Sequence, residues 1–272
     1  MHQWPQQVYM PGEGQLATGF TCFLFGGPGT WKTTWAANAP APLFLTCSID
    51  GGDDAIISAS TLPEPFGPPQ RAPVWPIKSV EDMRTAVNWV AVNYERFGIR
   101  TVVVDSITFY ADLWIAEKLQ QLEKSGRRPV QMSPKEWGEM STHLLKTIAQ
   151  TLHNTKLNVI WIALQKPKVT RDSDGNSRTI GIDPFIQGET SLKLPAMCKM
   201  IIHADQETYI DNANPGQYSV KPIYRTAPTH LTPNLRHKYA HAFPQGCLWD
   251  PQYGNWPTFR ALMQSVGSLV YQ

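Results

Sequence analysis

Phe20-Thr21-Cys22-Phe23-Leu24-Phe25-Gly26-Gly27-Pro28-Gly29-Thr30-Trp31-Lys32-Thr33-Thr34 is an apolar run that breaks into glycines and then meets a lysine followed by two hydroxyl side chains. A near-continuous apolar stretch of this length suits a strand buried on both faces of a parallel sheet. The glycines let successive main-chain N–H groups converge on anionic oxygens, at the start of a helix whose dipole favours negative charge. From Gly26 to Lys32 and Thr33 the spacing is that of a phosphate cradle. Lys32 would meet the β- and γ-phosphates, and the Thr33 hydroxyl would ligate Mg²⁺. One position departs from the pattern: Trp31 stands where a glycine is expected before the lysine. Its N–H survives, but an indole must find room beside the phosphates. The candidate nucleotide-binding residues are therefore Gly26, Gly27, Pro28, Gly29, Thr30, Trp31, Lys32, Thr33 and Thr34.

Outward from the cradle, helix and strand patterns alternate. A helix should begin near Lys32 and stop before Pro40, and Leu43–Cys47 reads as a second buried strand leading into the acidic turn Asp50-Gly51-Gly52-Asp53-Asp54. Six prolines between 61 and 76 make that stretch a loop, with a short strand at Val74–Ile77. Ser79 caps a helix whose apolar face is Val80, Met83, Val87, Val90 and Tyr94, closed by Gly98. Thr101-Val102-Val103-Val104-Asp105 is a central strand that ends on a carboxylate. Helices are expected over 107–124 and from Pro134 to His153, the second capped by Ser133. Leu157–Leu164 is the next buried strand and ends at Gln165. Beyond it, Asp174-Gly175 between polar arms signals a hairpin, and 206–226 reads as a β-meander. The pattern predicts an α/β fold, a mostly parallel twisted sheet flanked by helices with a C-terminal β-meander. Residues 1–18 form an irregular lead-in, 19–240 the core and 241–272 an irregular tail.

Three further positions carry chemistry. Asp105, closing an apolar strand about 75 residues after the lysine, is placed to hold the metal with Thr33. Gln165 could sense the terminal phosphate and pass the signal to the 166–183 loop. Asp50 is the best-placed carboxylate to orient an attacking water, with Asp53 and Asp54 as competitors. Lys32, Asp50, Asp105 and Gln165 are thus the candidate catalytic set.

Composition excludes some classes. Hydrophobic residues make up 42% and charged residues 17%, so a sizeable core is affordable. A net charge of +2 neither demands nor excludes nucleic acid, so that question rests on local clusters. Cys22, Cys47, Cys198 and Cys247 show no metal-ligand spacing, and the first two lie in apolar runs, which fits a reducing cytosol. No run approaches the roughly 18 apolar residues of a membrane span, and the N-terminus has no apolar signal core.

The order of a Gly-Pro-Gly cradle, an acidic turn after the next strand, Val-Val-Val-Asp-Ser and a strand ending in a polar residue resembles RecA/Rad51-type core ATPases. It is most similar to the small phage-encoded RecA-like NTPases of single-strand annealing and recombination, over roughly residues 18–240. The resemblance implies ATP and Mg²⁺ as cofactors and a homo-oligomer in the (host) cytoplasm. It further implies single-stranded DNA as partner, alongside a single-strand-binding or annealing protein. In that family two loops contact DNA, matching Lys124–Arg128 and Lys166–Arg178 here, with Arg127, Arg128, Lys168, Arg171 and Arg178 as candidates. A late basic pair reaches a neighbour's nucleotide, matched in placement by Arg236 and Lys238. The family usually has glutamate where Asp50 stands. Two alternatives stay open: a small-molecule or nucleotide kinase, and an assembly protein that binds nucleotide without turnover.

Overall fold

The computed structural model describes residues 19–37, 39–47, 56, 72–171, 176–210 and 218–237. The expectations for 1–18, Asp50, Asp53, Asp54, Asp174-Gly175, Lys238 and Cys247 lie outside the described residues.

Chain order begins with β1 (Thr21–Gly26), α1 (Lys32–Ala37), β2 (Pro42–Thr46) and β3 (Val74–Pro76). Then come α2 (Val80–Asn93), β4 (Thr101–Asp105) and α3 (Ile107–Lys124). The helical stretch that follows runs α4 (Pro134–Thr142), a π-helical segment His143–Ala149 and α5 (Gln150–His153) without a break. It ends with β5 (Asn158–Arg171), β6 (Ser177–Pro184), α6 (Thr190–Met197), β7 (Met200–Ile210), β8 (Tyr218–Arg225) and β9 (Arg236–His237).

Caps account for where the helices start. Ser79 accepts from the Asp82 N–H at 3.0 Å, and Ser133 forms a capping box with Glu136 ahead of Pro134. Gly98, at φ +66°, turns the chain from α2 towards β4.

Sheet order is β3-β2-β4-β5-β1-β7-β8, with β6 paired to β5 and β9 to β7. Neighbours from β3 to β7 are parallel, whereas β8 and β9 lie antiparallel to β7. Side chains alternate between two apolar layers. Phe23, Phe25, Val102, Val104 and Trp161 face the α2–α4 layer, and Cys22, Leu24, Val103 and Ile160 face Trp35 and Ala36 of α1. At about 1.5–3 kcal/mol for each fully buried large apolar side chain, these layers hold the sheet between its helices. This is the α/β class expected, a mostly parallel sheet flanked by helices.

Two elements differ in extent from the sequence reading. β5 does not stop at Gln165 but continues to Arg171, leaving the buried sheet to pair with β6 as a hairpin. Both faces of that extension meet solvent, so its composition is polar and imitates a loop. α6 was not anticipated, because Pro195 inside an eight-residue helix erases its pattern.

On one side of β1 lie β5, β4, β2 and β3, all begun before residue 172, and on the other lie β7, β8 and β9. The connections therefore diverge at β1. In open α/β sheets such a switch point opens a crevice at the carboxyl ends of the strands. The glycine-rich loop sits at that end of β1.

Candidate nucleotide-binding site

Gly26, the last residue of β1, is hemmed in by its neighbour: a Cβ there would lie 2.2 Å from the Ala204 carbonyl oxygen of β7. Only glycine fits so close an approach. Gly29 turns the loop with φ +73°. The Thr30 hydroxyl donates to the Gly27 carbonyl at 2.8 Å, drawing the loop into a tight curl. Inside the curl the Lys32 ammonium donates to Gly27 O at 2.6 Å, Gly26 O at 3.1 Å and Thr30 Oγ1 at 3.2 Å. Burial pushes the Lys32 pKa down to about 8, opposed in part by the Asp105 carboxylate.

Trp31 occupies the glycine position with φ +64°, a left-handed backbone that costs a non-glycine residue roughly 1–2 kcal/mol. Its carbonyl is held from two sides. The Trp35 N–H donates to it at 2.9 Å, the first turn of α1, and the Tyr224 hydroxyl of β8 donates at 3.2 Å. Tyr224 in turn packs its ring 5.7 Å from that of Trp35. Gln206 of β7 donates to Gly29 O from the same side. The β7–β8 edge thus braces the loop where its backbone is strained. Trp31→Gly is expected to leave Mg-ATP affinity within about threefold, because the cradle binds through main-chain N–H groups. Trp31→Val should weaken it roughly three- to tenfold, since a β-branched residue resists positive φ. Titration with a fluorescent ATP analogue checks both, and equal affinities for the two variants would refute the backbone argument.

Asp105 ends β4, two strands from β1, at the level of Ile162 and hence of Leu24. Two strand spacings put β4 about 10 Å from β1. The gap is closed by α1, which lies over the same face and directs Thr33 downward. Its hydroxyl donates to Asp105 Oδ2 at 2.6 Å, across 72 residues of sequence. Burial raises the Asp105 pKa, while the Thr33 hydrogen bond and the Lys32 charge lower it. A hydroxyl and a carboxylate are hard oxygen donors. With phosphate and water completing the shell they suit Mg²⁺.

Gln165 emerges on the opposite face of the sheet from Asp105. Its amide nitrogen lies 3.6 Å from where a Gly27 Cβ would be, so it flanks the cradle. His203 of β7, whose ring packs 5.0 Å from that of Phe25, reaches its amide oxygen at 2.7 Å.

Lys32, Thr33, Asp105 and Gln165 are therefore brought together around one loop. The described basic candidates lie elsewhere. Arg127 Nη1 donates to Glu136 at 2.7 Å, and Arg128 lies 3.9 Å from Glu123 at the end of α3. Lys168, Arg171 and Arg178 are exposed on the β5–β6 hairpin. Arg236 is in β9, at the far edge from β4. Sequence reasoning missed His203, Gln206 and Tyr224. The strand pattern of 200–226 was the available signal, but nothing in it shows that these strands abut the loop.

A family model described as an AAA domain matches residues 18–234, spanning the cradle, Asp105 and the hairpin. The chain belongs to the AAA domain family. Membership makes the chain an AAA-type P-loop ATPase domain. Among solved structures, the ATPase of a type III secretion system of pathogenic bacteria is similar at 14% identity and TM-score 0.40, over 68% of this chain and 52% of that one. A KaiC-like protein of Pyrococcus horikoshii OT3 is similar at 16% identity and TM-score 0.42, over 81% and 83%. The chain spans about half the length of the secretion ATPase. No curated protein matches the sequence. No described helix is long and apolar enough to cross a membrane.

Proposed function

We propose that the chain is an ATP-hydrolysing, single-stranded-DNA-associated accessory protein of phage recombination or replication. The observation that carries this reading is the continuity of β5. The strand that sets Gln165 beside the cradle runs on without a break into an exposed basic hairpin, so a change at the phosphate has a stiff path to a cationic surface. The phage assignment itself rests on the order of motifs in the sequence.

In this reading Lys32 neutralises the phosphates and Asp50 orients the attacking water. Thr33 and Asp105 would hold Mg²⁺, which would supply positive charge against the charge developing on the phosphates. Gln165 touches the terminal phosphate. A neighbouring copy completes the site, with Arg236 and Lys238 as its cations.

Hairpin register sorts the basic groups by face. Past the register shift between Lys168 and Val169, Thr170 pairs with Arg178 and Arg171 with Ser177, so Arg178 and Arg171 lie on opposite faces. Lys168→Ala with Arg178→Ala is expected to weaken single-stranded DNA binding and flatten its log–log salt dependence by roughly 1.4, whereas Arg171→Ala alone should do less. An unchanged salt slope in the double variant removes the hairpin from the DNA interface.

Phosphate release from Mg-ATP with and without single-stranded DNA tests the function as a whole. Stimulation by DNA supports the reading. Turnover that requires a phosphoryl acceptor replaces it with a kinase, and tight binding without turnover replaces it with an assembly protein.

A further inference from the structure

We propose that His203 is a positioning residue: it fixes the Gln165 amide so that its nitrogen, not its oxygen, faces the terminal phosphate. The inference rests on the reading of Gln165 as the γ-phosphate contact.

β1 lies between β5 and β7, so Gln165 and His203 can meet only by passing over the end of β1, where the cradle begins. Phe25 is level with Ala163 on one side and His203 on the other. By the two-residue alternation of a strand, Gln165 then projects from the same face as Ala163, Phe25 and His203. The ring is buried and wedged against Phe25, which limits its own motion.

An amide has two chemically opposite ends. Only the NH₂ end attracts a phosphate oxygen; the carbonyl end repels it. A terminal amide free to rotate would present either end. His203 Nε2 lies 2.7 Å from Gln165 Oε1. A carbonyl oxygen can only accept, so Nε2 carries the hydrogen and the oxygen is turned towards β7. The nitrogen is then left on the Gly27 side. Burial holds the His203 pKa below its ordinary value, so the ring brings no competing charge to the phosphates.

The test measures affinities for a non-hydrolysable ATP analogue and for ADP, in the full-length protein with Mg²⁺. Gln165→Ala and His203→Phe should each reduce the preference for the triphosphate roughly tenfold, the worth of one hydrogen bond to a charged group. ADP affinity should move less than twofold in both, which also shows that the variants are folded. His203→Gln, which keeps an N–H donor at similar reach, should restore most of the preference. The double variant Gln165→Ala/His203→Phe should be no worse than Gln165→Ala alone. If Gln165→Ala keeps the wild-type preference, the γ-phosphate reading fails and takes this inference with it. If Gln165→Ala loses the preference but His203→Phe retains it, or if the two losses add, the Gln165 reading stands and the role of His203 is overturned. Failure of His203→Gln to recover the preference would overturn it as well.

Discussion

Replacing Lys32 by alanine is expected to weaken nucleotide binding at least 100-fold while leaving the protein folded. The ammonium is the only charge inside the loop curl among the described residues, and it already touches two loop carbonyls and Thr30. A triphosphate entering the cradle meets that charge at hydrogen-bond distance in a site sheltered from water, where charge-assisted bonds are about twice as strong as neutral ones. The Gly27 carbonyl keeps its Thr30 donor in the variant, so the loop retains part of its curl. Lys32→Met, which keeps the stem and discards the charge, should lose nearly as much affinity and separate electrostatics from packing. Calorimetric titration with Mg-ATP gives the answer, and unchanged affinity in either variant would end the site assignment. The wild type should also show a pH signature. With the free-state pKa lowered to about 8, binding above that pH must first return a proton to Lys32, because phosphate charge favours the ammonium. Affinity should be flat below pH 8 and fall towards tenfold per unit above it, a slope that Lys32→Met should lack.

What the sequence made legible follows from the range of the interactions involved. The cradle is local: strand, glycines, lysine and hydroxyls occupy 15 consecutive residues from Phe20 to Thr34, and their order alone states the chemistry. The helices with hydroxyl caps at Ser79 and Ser133 are local for the same reason. Asp105 stood out only because the cradle upstream gives a carboxylate at a strand end something to do, and the structure adds the hydrogen bond from Thr33. The bracing of the loop by Gln206 and Tyr224 was not readable. Both reach it from about 175 to 195 residues away, and their strands show only an alternating pattern common to any sheet edge. The end of β5 was obscured for the opposite reason. Local polarity correctly reported solvent around 167–171 and the hairpin itself was read, but nothing in the polar stretch shows that its first arm continues β5. Trp31 was legible as a departure but not as a solution. The left-handed turn is braced by Tyr224 of β8, whose hydroxyl holds its carbonyl, and no short-range rule could supply that.

Asp105→Asn should separate two roles that one carboxylate combines. Asparagine is nearly isosteric and keeps an oxygen that can accept from Thr33, so the link between β4 and α1 survives. What is lost is the negative charge that would face Mg²⁺ and the phosphates. Nucleotide affinity without Mg²⁺ should therefore hold or rise slightly, the increment contributed by Mg²⁺ should largely vanish, and any turnover should fall by roughly 100-fold or more, a few kcal/mol of charge stabilisation. Stability should move the other way. Burial raises the folded-state pKa of Asp105 above its unfolded value, so keeping it ionised costs folding energy at neutral pH. That cost is fully present above the raised pKa and disappears as pH falls below the unfolded one. The asparagine variant should accordingly melt at a higher temperature than wild type at pH 7, with the difference closing as pH approaches 4. Melting curves across that range, set beside Mg²⁺ titrations of nucleotide affinity, decide the matter. A variant that is less stable at pH 7 would mean that the carboxylate is chiefly a strut for Thr33, and one that keeps its full Mg²⁺ response would place the metal elsewhere.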